Sequence, residues 1–119
     1  MTLLNAIPIL RMFSIERTYA FYLTYLGFEL DWEHRFADDL PLYAQIRRDS
    51  VIVHLSEHHG DSTPGSAIFL PVDDIESLHR ELQGKQYSYA RPGIEEVGWG
   101  RQIQVTDPSG NRLRFCQFS

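Results

Sequence analysis

An apolar run rich in Ile and Leu opens the chain from Asn5 to Met12, and its composition predicts a first strand. Ser14 follows as an N-cap whose side-chain oxygen can accept an orphan backbone N–H. Behind it Ile15, Tyr19, Tyr22 and Leu26 recur at helical spacing, predicting a helix from about Ile15 to Leu26 with Gly27 as its left-handed terminator. Strand-like runs come next at Phe28 to His34, Leu42 to Arg47 and Ser50 to Ser56, the last two joined tightly through Arg48-Asp49. Glu57 to Gly65 is polar and full of turn formers, so it reads as a linker.

The order then repeats. Ser66 to Val72 predicts a strand, and Asp73-Asp74-Ile75-Glu76 carries a capping-box pattern in which Asp73 caps and Glu76 reaches back. Ile75, Leu78 and Leu82 form the apolar stripe of a second helix that Gly84 ends. A short strand at Tyr87 to Ala90, a loop from Arg91 to Gly100, and strands at Arg101 to Thr106 and Arg112 to Phe118 complete the pattern. The last two strands flank Asp107-Pro108-Ser109-Gly110-Asn111, a strong turn signal. The expected fold is α+β: two tandem βαββ(β) units, about 5–56 and 66–118, in one domain spanning 1–119. Their strands form a curved mixed sheet, a cup with helices on its outer face.

Composition narrows the function classes. A net charge of −5 argues against a nucleic-acid-binding stripe and leaves room for a cationic ligand. The lone Cys116 allows no internal disulfide and fits a reducing cytoplasm; an activator for it is not evident. No apolar stretch reaches the roughly 18 to 20 residues of a membrane helix. Neither nucleic acid nor membrane is therefore expected as a partner.

Two motifs at the right separation resemble a known family. Phe21-Tyr22 with Leu26-Gly27-Phe28, and Asp107-Pro108-Ser109-Gly110-Asn111-Arg112-Leu113, are similar to the two signature segments of the glyoxalase/bleomycin-resistance/extradiol dioxygenase (vicinal oxygen chelate) superfamily. The resemblance covers essentially the whole chain and implies the duplicated fold. In enzymes of that family, inward-facing residues of four strands hold a divalent cation. Carried over, those positions fall at or next to Ile7, on His54, near Ala67 and on Arg114, of which only His54 offers a metal ligand. Arg114 presents donors only and would repel a cation. The resemblance is thus to the metal-independent bleomycin-resistance-type binding proteins, which act as homodimers holding drug in interface grooves.

The candidate ligand-binding residues are Trp32, Phe36, Tyr43, His54, Trp99 and Arg114. Strand alternation places Val51, Val53 and Leu55 on the core face and His54 on the open one. Trp32, Phe36 and Tyr43 do not fit the core stripes, and Trp99 lies in Gly98-Trp99-Gly100, where flanking glycines free the indole. Asp31, Glu33, Asp38 and Asp39 cluster around Trp32, and Glu29, Asp31 and Glu33 are expected along one strand face. Aromatic faces beside carboxylates suit a planar or cationic ligand. The expected function is sequestration of such a molecule, bleomycin-like, by a cytoplasmic homodimer without metal or cofactor. The alternative is a glyoxalase-like lyase, isomerase or dioxygenase using His54, with Glu57 or His58, around a metal.

Overall fold

The computed structural model describes residues 1–85 and 92–119. Among the described residues eight strands and two α-helices follow in the order β1 (Ile9–Arg11), α1 (Ile15–Tyr19), a π-helical segment (Ala20–Tyr25), β2 (Glu29–His34), β3 (Tyr43–Arg48) and β4 (Val51–Ser56), then β5 (Ala67–Pro71), α2 (Ile75–Gln83), β6 (Glu95–Val97), β7 (Gly100–Thr106) and β8 (Arg112–Phe118). Hydrogen bonding divides the strands into two four-stranded mixed sheets, β1-β4-β3-β2 and β5-β8-β7-β6, so the α+β fold consists of two units with one topology. In each unit the first strand runs parallel to the fourth and the others form an antiparallel meander.

One face of each sheet enters a common core. Ile46, Val53 and Leu55 of the first sheet, Ile103 and Leu113 of the second, and Phe21, Tyr22, Ile75 and Leu82 of the helices are buried together. Each such side chain contributes about 1.5–3 kcal/mol when removed from water. Polar links reinforce the seam between the units. The Arg48 guanidinium donates two 2.8 Å hydrogen bonds to the Glu81 carboxylate, and the Asn111 amide donates to the Arg11 carbonyl.

Several local expectations change. The first strand shortens to Ile9–Arg11, because Pro8 has no N–H for a ladder and residues 1–7 are exposed. The first helix is capped as expected, by Ser14 accepting from the Arg17 N–H, but after Tyr19 it widens into π geometry, with the Leu26 N–H donating to the Phe21 carbonyl. That rotation shifts the fully buried stripe to Thr18, Phe21, Tyr22, Tyr25 and Leu26, leaving Ile15 and Tyr19 partly buried.

At the second helix Asp74, not Asp73, is the cap and accepts from the Ser77 N–H. Glu76 turns instead to Arg101, a stronger charged partner than the backbone N–H of a capping box. Gly27 is left-handed with φ +73°, whereas Gly84 ends α2 in ordinary right-handed geometry. The β3–β4 hairpin turns at Asp49-Ser50, one residue later than expected, with φ 53° at Asp49. β6 lies where a loop was expected, and the strand expected at Tyr87 to Ala90 lies outside the described residues.

Candidate functional site

The face of the first sheet turned away from the core carries a wall of rings. Register places Gln45 between Trp32 and His54 across β2, β3 and β4, and puts Ile9 of β1 beside His54. Trp32 reaches this face because of a β-bulge. Leu30 pairs with core-facing Ile46, and unbroken alternation would put Trp32 on the same side as Leu30. The register shift between Leu30 and Trp32 instead sets Trp32 opposite Gln45. The bulge also breaks the acidic row expected along β2. Glu29 pairs opposite Arg47, while Glu33 pairs opposite core-facing Ala44 and accepts a 2.5 Å hydrogen bond from the Tyr19 phenol of α1.

Trp32 and Tyr43 lie nearly parallel, 15° apart with centroids 6.1 Å apart, and the His54 ring presents its edge to both at 5.4 and 5.1 Å. Trp32 remains 43% exposed. The wall extends through His58 to Phe36 at 6.3 Å, and from Phe36 to His34 at 4.8 Å. Thus Trp32, Phe36, Tyr43 and His54 come together as candidates. His34 was not anticipated; its place opposite Tyr43 follows only from the pairing register.

A polar chain runs beneath the rings. Asp31 accepts from Arg47 Nε at 3.1 Å and from Gln45 Nε2 at 2.9 Å, while Gln45 Oε1 lies 2.8 Å from His54 Nε2. The Tyr43 hydroxyl stands 2.7 Å from His54 Nδ1. Hydrogen bonds from Gln45 and then Arg47 hold the Asp31 carboxyl below the usual range. Partial burial lowers the His54 pKa below its ordinary value, and burial followed by the charge of Asp61 raises that of Tyr43. Sequence reading missed Gln45, since nothing in its type or spacing marks it; the signal lies in its register between His54 and the bulge.

Trp99 and Arg114 sit on the second unit. Trp99 occupies the two-residue turn Gly98-Trp99 between β6 and β7 and is 56% exposed. Arg114 Nε donates to Gln104 Oε1 at 2.9 Å, beside Phe69 in register. Exposed Phe69 packs against Phe118 at 5.7 Å, a pair the sequence reading did not single out. Among the described residues, no ring contact or hydrogen bond joins Trp99 or Arg114 to the Trp32 wall. A separate cavity of about 690 Å³ opens on the helix side of the seam, lined by Phe28, Val51, Leu70, Leu78, Arg48 and Glu81 among others.

The residues do not fit a metal centre. Among those described, no group of three or more His, Cys, Asp or Glu side chains stands close enough to hold a metal ion. His54 already engages both ring nitrogens, and Ile7, Ala67 and Arg114 offer no lone pair suited to a cation.

Comparison with known proteins agrees with this architecture. The bleomycin-binding protein from bleomycin-producing Streptomyces verticillus, solved with copper(II)-bleomycin, is 31% identical, aligns over 100% of this chain and 99% of its own, and has a TM-score of 0.69. An antibiotic-binding protein from Streptomyces sp. CB03234 aligns over 100% and 99% at 20% identity and a TM-score of 0.75. A bleomycin resistance determinant encoded on transposon Tn5 aligns over 98% and 99% at 23% identity, also at 0.75. No curated protein sequence matches the chain. The family described as glyoxalase superfamily protein matches residues 1–119, and with the duplicated fold and the 31% identical relative it follows that the chain belongs to the glyoxalase superfamily.

Proposed function

We propose that this protein binds and sequesters a planar aromatic or cationic small molecule, with a bleomycin-type antibiotic as the specific ligand. The observation that carries the reading is the Trp32–Tyr43 pair edged by His54, with the indole of Trp32 half exposed. Such an arrangement gains from stacking heteroaromatic rings and from a cation over the indole face. The relative from Streptomyces verticillus, described as a bleomycin-binding protein, supports the choice of ligand.

A homodimer is part of this proposal. Trp32 of β2 with Phe36 just beyond it, and Phe69 and Phe118 of the second sheet with Trp99 in its β6–β7 turn, leave apolar surface open to water in a single chain. A second copy laying one sheet over the other would cover both and convert open faces into a groove. The proposed setting is the cytoplasm, with the two units acting as one domain. Titrating bleomycin while following tryptophan fluorescence tests the ligand, with saturation expected in about the micromolar range. The absence of any saturable change would remove bleomycin. Light scattering decides the dimer.

A further inference from the structure

Resting on the binding reading above, the geometry points to Gln45 as a positioning residue that polarises the wall, fixing the His54 tautomer so that the Tyr43 oxygen faces a ligand as an acceptor and selects N–H donors.

Direction passes along the chain one atom at a time. The Asp31 carboxylate can only accept, and Arg47 Nε and Gln45 Nε2 donate to it. With its NH2 committed, Gln45 turns its carbonyl oxygen to His54 Nε2 at 2.8 Å. That oxygen accepts, so Nε2 carries the proton and Nδ1 of the neutral ring keeps its lone pair. The Tyr43 hydroxyl, 2.7 Å from Nδ1, then spends its only proton on His54. What the phenol offers elsewhere is lone pairs, next to the face of Trp32.

A ligand with an ammonium, guanidinium or amide N–H beside its aromatic ring satisfies that oxygen and gains from the ring faces. A ligand placing a carboxylate there meets a second acceptor and a carboxylate-anchored network.

Imidazole-detected ¹H–¹⁵N NMR near neutral pH reads the tautomer directly. The wild-type protein should show protonated Nε2 and unprotonated Nδ1 at His54. Gln45→Leu, which removes the Nε2 acceptor without adding charge, should raise the Nδ1-protonated fraction above that of the wild type, and an unchanged fraction would overturn the inference. The selectivity arm uses tryptamine and indole-3-propionate as probes, with shifts of the Trp32 indole N–H as readout. Tryptamine should bind about tenfold tighter, and Tyr43→Phe, which keeps the ring, should reduce the ratio toward one. A His54 ring protonated at Nδ1, equal or reversed probe affinities, or no shift at Trp32 with either probe would overturn the inference. Saturable bleomycin binding alongside equal probe affinities would sink this inference alone. Probe selectivity without bleomycin binding would sink only the drug assignment.

Discussion

The Tyr22 phenol donates a 2.7 Å hydrogen bond to the buried Asp107 carboxylate, tying the π-helical segment of the first unit to the β7–β8 turn of the second. Asp107 also accepts from the Ser109 and Asn111 N–H groups and from the Asn111 side-chain amide, so one carboxylate organises both the turn and the seam. Burial first, and the Asp107 charge second, push the Tyr22 pKa well above its ordinary value. Tyr22→Phe leaves the ring packing and removes one donor. The expected loss is about 1–3 kcal/mol in urea unfolding.

The seam pair Arg48–Glu81 gives a signed pH dependence. Hydrogen bonding to Arg48 leads the causes that lower the Glu81 pKa from 4.5. A depressed folded value means the stabilisation is full above the unfolded pKa and is lost as pH falls through the folded one. With both side chains about one-third exposed, the pair is worth about 1 kcal/mol at neutral pH. Glu81→Gln should therefore lower the urea midpoint at neutrality and converge on wild type in acid, as pH falls through the depressed Glu81 pKa.

His54 should titrate by NMR below the ordinary 6.5, because partial burial disfavours the imidazolium. The groups facing it are Tyr43, Gln45 and Trp32, with Asp31 acting through Gln45. The sign is that stability rises with pH through the window between the folded value and 6.5, since the unfolded chain binds the proton first. A midpoint above 6.5 would contradict this environment.

The two glycines around Trp99 should behave differently. A Cβ at Gly100 would lie 2.2 Å from the Gln117 carbonyl oxygen, whereas one at Gly98 meets nothing within 4 Å. Gly100→Ala should cost about 1–3 kcal/mol through forced separation of β7 and β8. Gly98→Ala should stay within about 0.5 kcal/mol of wild type, both read by thermal unfolding.

Trp32→Ala should weaken bleomycin binding by about 2 kcal/mol, roughly thirtyfold, while changing the unfolding midpoint little because the indole is half exposed. Calorimetric titration checks the affinity. An unchanged value would place the drug elsewhere.

Much of the fold was legible because local signals agreed with the tertiary outcome. Ser14 capped a helix, Asp107 to Asn111 made a turn, and the Val53 and Leu55 side of β4 was buried. What failed to show were features set by neighbours rather than by spacing. The π turn after Tyr19 accompanies the burial of Phe21, Tyr22 and Tyr25, and Glu76 left its capping role for an arginine 25 positions away. For the site, residue type sufficed to pick out Trp32, Tyr43 and His54, but their shared face depended on a register shift. Gln45 carries no chemical flag of its own, and its role exists only between two partners.

The bulge at Asp31 makes the wall a matter of counting. Pairing Asp31 regularly opposite Gln45 would return Trp32 to the side of Leu30, whereas deleting Asp31 would restore strict alternation with Trp32 still opposite Gln45 and remove only the carboxylate to which Gln45 and Arg47 donate. A one-codon deletion in β2 would therefore change the polar anchor of the wall while leaving every ring in place, a change that no survey of substitutions at the aromatic positions themselves would reveal.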